Sequence, residues 1–189
     1  MVQCMLDVII NIFFNTALDA FRFLSVKYGY RLTDTRLFAA EGAMVRYESD
    51  HAYLEVWYDA LRGGELSVVF GLLGKRDVSL HFEHSFCATS ATALEYCIHR
   101  LADQVADEAT PLLRGDIEAY HQRQRELEKR DRDWANEMRL KAIRAKVTEA
   151  WHNNHYAHVV TLLASMQDNI SLLEIKKLDY ARNILKKSV

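Results

Sequence analysis

Between Ala43 and Glu83 the chain alternates apolar and polar residues in short runs separated by turn residues. A period of two, sustained over several runs with hairpin-length breaks, commits such a segment to an antiparallel sheet. Met44 to Glu48 leads through Ser49-Asp50 into His51 to Asp59, and Arg62-Gly63-Gly64 turns that run into Glu65 to Leu72. Gly74 to Asp77 then turns into Val78 to Glu83, and a weaker run, Tyr30 to Leu37, precedes them all before Glu41-Gly42. The expectation is a meander of four to five strands.

Helices flank it. From Val2 to Tyr28, the residues Leu6, Ile9, Ile10, Phe13, Phe14, Leu18, Phe21 and Leu24 recur at the spacing of a buried stripe, and Gly29 reads as the C-terminal stop. Ser90, at the end of Ala88-Thr89-Ser90, offers an N-cap for a helix carrying Leu94, Ile98, Leu101 and Val105, which stops before Pro111. Asp116 can cap another helix reaching Trp151, whose middle from His121 to Asp133 is almost wholly charged and has little to bury. Beyond Met138 three apolar stripes follow, broken at Asn153-Asn154 and Asp168 to Ser171. The expected fold is α+β: an N-terminal helix on the meander (residues 1–115), a charged connecting helix (116–138), and a C-terminal helical hairpin plus helix (139–189). Ala150-Trp151, Tyr156-Ala157 and Tyr180-Ala181 resemble a fragment of a tetratricopeptide-type unit, but no second period accompanies them.

Half of the 189 residues are hydrophobic, enough for a sizeable core, and one proline with seven glycines argues for long regular elements. Cys4, Cys87 and Cys97 show no paired spacing, which suits a reducing compartment, and the chain reads as cytoplasmic. Its apolar N-terminus lacks a basic leader and carries Asp7, Asn11 and Asn15, so a buried helix is expected there and no membrane span. Residues 139–189 carry a net charge of +5 and the preceding 138 residues −7, an asymmetry that can steer partners. The basic residues between Arg123 and Arg132 are interrupted by Glu126, Glu128 and Asp131, which disfavours a phosphate-binding stripe and hence nucleic acid.

Motifs for chemistry are sparse. His81-Phe82-Glu83-His84 is the one dense His/Glu cluster, yet on a strand His84 points away from His81 and Glu83. Metal sites need three or four convergent ligands, and the accompanying zinc-deaminase and metalloprotease patterns are missing. His152, His155 and His158 recur every three residues but are split by Asn153-Asn154. Gly71-Leu72-Leu73-Gly74-Lys75 is too short for a phosphate loop and reads as a hairpin turn. No catalytic residue, cofactor or metal is expected.

What remains is one face of the sheet. In the run from His51 to Asp59, Leu54, Val56 and Tyr58 point to the core, while Tyr53, Glu55, Trp57 and Asp59 point the other way. Two large aromatics beside two carboxylates suit partner contact, with Glu48 and Glu65 adding negative charge and Arg46 and Ser67 within reach in an open register. The alternative is that the charged or C-terminal helices cover this face.

Phe21-Arg22-Phe23-Leu24 and Tyr28-Gly29-Tyr30, followed by Val45-Arg46-Tyr47-Glu48-Ser49-Asp50, Val56-Trp57-Tyr58-Asp59 and Gly64-Glu65-Leu66-Ser67-Val68, resemble small bacterial helix-plus-meander proteins. Some of those are immunity proteins of polymorphic toxin systems. The resemblance covers about residues 20–83 and implies a non-enzymatic protein that neutralises a toxin by direct binding. Two other readings stand beside it: an accessory subunit docked through Tyr156, His158, Lys176 and Lys177, and a metal-dependent enzyme built on His81, Glu83 and the His152 to His158 group.

Overall fold

The computed structural model describes residues 2–38, 42–74, 79–82, 85–88, 90–166 and 169–187, with side chains from residue 8 onward. It is α+β, in the order α1 (Val2–Ala20), α2 (Phe23–Tyr28), β1 (Arg31–Phe38), β2 (Gly42–Glu48), β3 (Ala52–Asp59), β4 (Glu65–Leu72), β5 (Ser79–His81), β6 (Phe86–Cys87), α3 (Ala91–Glu108), α4 (Thr110–Leu113), α5 (Ile117–His152), α6 (Tyr156–Ala164) and α7 (Leu172–Lys187). Two compact units are present, Met1–Arg125 and Glu126–Val189, and α5 contributes to both.

In the first unit, β1 to β5 follow one another as an antiparallel meander, and β6 pairs with β4 through Glu65↔Cys87 and Leu66↔Phe86. The alternation seen in the sequence appears directly as burial. Ala43, Val45 and Tyr47, then Leu54, Val56 and Tyr58, then Leu66, Val68 and Phe70 are buried on one side. Against them pack Phe13, Ala17, Phe21 and Leu24, all fully buried; Phe13 stacks on Tyr58 at 5.8 Å and Phe21 on Tyr47 at 6.5 Å. The stretch Val8–Tyr28 is long and apolar enough to cross a membrane by composition, and in this fold its apolar stripe faces the sheet.

The expected single helix from Val2 to Tyr28 is instead two. Arg22, Leu24 and Ser25 donate to carbonyls three residues back, so the backbone tightens for one turn between α1 and α2. That rephasing keeps both Phe21 and Leu24 inside. Gly29, at φ 73°, ends α2 and returns its N–H to the Leu24 carbonyl. The weak run after it is a full strand with an irregularity between Leu32 and Asp34. The turn expected around Gly74 to Asp77 lies largely outside the described residues. Ser90 and Asp116 cap α3 and α5, their side chains accepting from Ala93 and from Glu118 and Ala119.

In the second unit, Leu140, Val147 and Ala150 of α5 meet Val159 and Leu163 of α6, Met166, and Leu178 and Ala181 of α7. Asn154 sits in the left-handed region at φ 58° and ends α5; His155 donates to the Ala150 carbonyl and Asn154 to the Trp151 carbonyl, which closes the last turn. Ser171 and Glu174 satisfy each other's backbone N–H at the start of α7.

Candidate interaction face

Pairing settles the register that the sequence left open. Arg46 lies opposite Glu55, Glu48 opposite Tyr53, and Met44 opposite Trp57. On the other flank Tyr53 meets Gly71, Trp57 meets Ser67, and Asp59 meets Glu65. Tyr53, Glu55, Trp57, Asp59, Glu48 and Glu65 therefore share the face turned away from the buried side chains, and all six are half-buried.

Arg46 is the hub of this face. Its Nε donates to Glu48 at 2.7 Å and its Nη1 to Glu55 at 2.6 Å, while the guanidinium lies 4.0 Å from the Tyr53 ring centroid. Partial burial works against the arginine's charge, and the hydrogen bonds and charges of Glu48 and Glu55 outweigh it, leaving the guanidinium held in its protonated form more firmly than usual. The second oxygen of Glu55 accepts from the Trp57 indole at 3.0 Å. Phe38 of β1 stacks on Trp57 at 5.1 Å with the rings 18° from parallel. Burial, then the neighbouring Glu55 charge, push the Tyr53 hydroxyl above its ordinary range, so it stays neutral.

The Tyr53 ring occupies the space beside Gly71, where any Cβ would collide with it. Glycine is needed there for room, not for turn geometry. On the same face, toward β1, is an open pocket of about 300 Å³ lined by Thr33, Asp34 and Arg36 of β1, Met44, Arg46 and Glu48 of β2, and Glu55 of β3.

The remaining acids have local duties. Asp59 and Glu65 face each other across two strands, which alone would be repulsive, and Arg62 lies 3.5 Å from one and 3.9 Å from the other. Asp59 also accepts from the N–H groups of Leu61 and Arg62, shaping the hairpin. Its neighbours thus offset much of the negative field expected of Glu48, Glu55, Asp59 and Glu65. The charge is mixed, and around Arg46 it is held by short hydrogen bonds.

The other sequence candidates do not converge. His81 is exposed on β5, and Glu83 and His84 lie outside the described residues. His152, His155 and His158 are exposed on either side of the turn between α5 and α6. Among the described residues no three His, Cys, Asp or Glu side chains are grouped to hold a metal. Cys87 and Cys97 are free thiols; burial pushes that of Cys97 up, with Arg100 opposing. In the second unit Tyr156 belongs to a ring cluster with Trp151 and Tyr180, and Lys177 sits over Trp151 at 5.5 Å.

Sequence reasoning did not find Phe38 or the shared role of Arg46. Parity along β2 places Arg46 and Glu48 together on the outer face, but the second acid partner, Glu55, follows only from the register. No known protein-family model, curated protein or solved structure matches the chain.

Proposed function

We propose that this chain is a non-enzymatic protein-binding module of the immunity or antitoxin kind, neutralising a bacterial toxin domain by covering it with the outer sheet face. The observation that carries this reading is the interlocked set Arg46, Glu48, Glu55, Trp57, Phe38 and Tyr53. Aromatic rings and charges are held there by one another, so little side-chain freedom would be lost on association. Interfaces draw their energy from such anchors, aromatic and arginine above all. The resemblance of residues 20–83 to small bacterial helix-plus-meander proteins, some of them immunity proteins, supplies the kind of partner.

Co-expression with the product of the adjacent gene tests this. The intact chain should relieve growth arrest caused by that product, and Trp57→Ala combined with Glu55→Ala should not, at equal soluble expression. Relief unaffected by both changes contradicts the proposed face; no relief by the intact chain contradicts neutralisation.

A second reading, an accessory subunit docked through the C-terminal helices, has one observation in its favour. Leu172 and Leu173 at the start of α7 are 80% and 66% exposed. If that reading holds, Leu172→Ser with Leu173→Ser abolishes partner binding while the changes at Glu55 and Trp57 leave it intact.

A further inference from the structure

β1 is the long open edge of the sheet. It spans eight residues and, among the described residues, pairs only with β2, so the N–H and C=O groups along its other side have no strand partner. Such an edge templates pairing with another strand unless something blunts it. Leu32 and Leu37, placed by the register beside Tyr47 and Ala43 on the core side, are nevertheless 47% and 58% exposed. Two apolar side chains are thus left at the rim of the core, beside an unpaired ladder.

The charges on the outer side of β1 say what fits. Asp34 and Arg36 stand two residues apart with Thr35 between them. When two copies of the strand run antiparallel with Thr35 facing Thr35, Asp34 of each copy lies opposite Arg36 of the other. Moving the centre by one residue, to Asp34 or to Arg36, sets a like charge directly against its own copy. Centring between two residues would oppose core-side to outer-side positions, which strand pairing does not allow. Among these nearby registers only the one about Thr35 is favourable, and it sets Leu37 of one copy against the irregularity at Thr33 of the other, next to Leu32. The existing Arg36–Asp34 ion pair within each strand need not break, since the four groups then alternate in sign around a square.

We propose that β1 pairs with β1 of a second copy of this chain, antiparallel about Thr35, joining the two sheets side by side. The irregularity between Leu32 and Asp34 confines the regular ladder to the residues around Thr35, so the dimer is concentration-dependent. Because the sheets join at their edges, the pairing adds no cover to the outer face of either copy. The inference does not depend on what those faces bind.

Sedimentation velocity of the full chain over a concentration series tests it. A reversible dimer is expected. Asp34→Arg alone, or Arg36→Asp alone, turns two attractive cross-strand pairs into repulsive ones and should weaken association about tenfold. Mixing the two single variants should restore association, because one then carries two cations and the other two anions at the facing positions. A chain that stays monomeric throughout overturns the proposal, as does a dimer that ignores both reversals or is not restored by mixing. If either variant fails to fold, hydrogen exchange of the unaltered chain decides. Protection of Arg31 to Phe38 should rise with concentration, and a flat response overturns the proposal.

Discussion

At the scale of single residues, Arg46 carries the outer face. One guanidinium serves Glu48, Glu55 and the Tyr53 ring, and its removal leaves two half-buried carboxylates without a counter-charge. Arg46→Ala should cost about 1–3 kcal/mol in urea unfolding. Arg46→Lys should recover little of it, since an ammonium cannot reproduce a fork that reaches two acids at once. A lysine variant as stable as the parent would mean that charge alone matters. Gly71 gives a second residue-scale test. Gly71→Ala drives a methyl group into the Tyr53 ring and should destabilise by about 1–3 kcal/mol, as overpacking does. The Tyr53 ring resonances should shift in the same variant; a neutral substitution with shifted resonances would show that the ring swings aside at little cost, and unshifted resonances would show that it does not rest there. Neither role is visible in the sequence, where Gly71 looks like part of a hairpin turn and Arg46 like one polar residue in an alternating run. Both depend on which residue lies across the strand.

At the scale of elements, β2, β3 and β4 are legible in the sequence because one face is buried and the other, along all of β3 and most of β4 and in the second half of β2, is half-solvated, which writes a period of two into the chain. β6 escapes because two residues carry no period, and its pairing with β4 is fixed by tertiary contact. The break between α1 and α2 escapes because a tightened turn leaves the three-and-four spacing of apolar residues nearly unchanged. The Ser171 to Glu174 spacing matches a capping box, and its consequence can be measured. Burial of Glu174 would raise its carboxyl, but hydrogen bonds from Arg144 and Ser171 and the Arg144 charge outweigh it and hold it at about 2, against an ordinary 4.5. Between those two values the unfolded chain binds the proton that the folded one refuses. The contribution of this group is therefore complete above about 4.5 and is lost as the pH falls toward 2. Exchange protection of α7 amides should decline across that window, and Glu174→Gln should remove this part of the decline. An identical profile in the variant would assign the acid sensitivity to other groups.

At the scale of the whole molecule, the chain is two units with separate apolar clusters, each assembled from stripes that the sequence displays. What the stripes could not display is how the outer face closes on itself. Phe38 reaches Trp57 from a strand two places away in the sheet, and Arg62 relieves Asp59 and Glu65 from inside a turn. That face presents packed rings and mixed charge, four carboxylates against two arginines, with no convergent set of reactive side chains among the described residues. The most direct test of the central claim is calorimetric titration of the full chain with the purified product of the neighbouring gene. A stoichiometric complex is predicted, with Trp57→Ala losing about 2 kcal/mol or more of binding free energy while its fold persists. Absence of a complex, or an affinity unchanged by Trp57→Ala, would contradict the account.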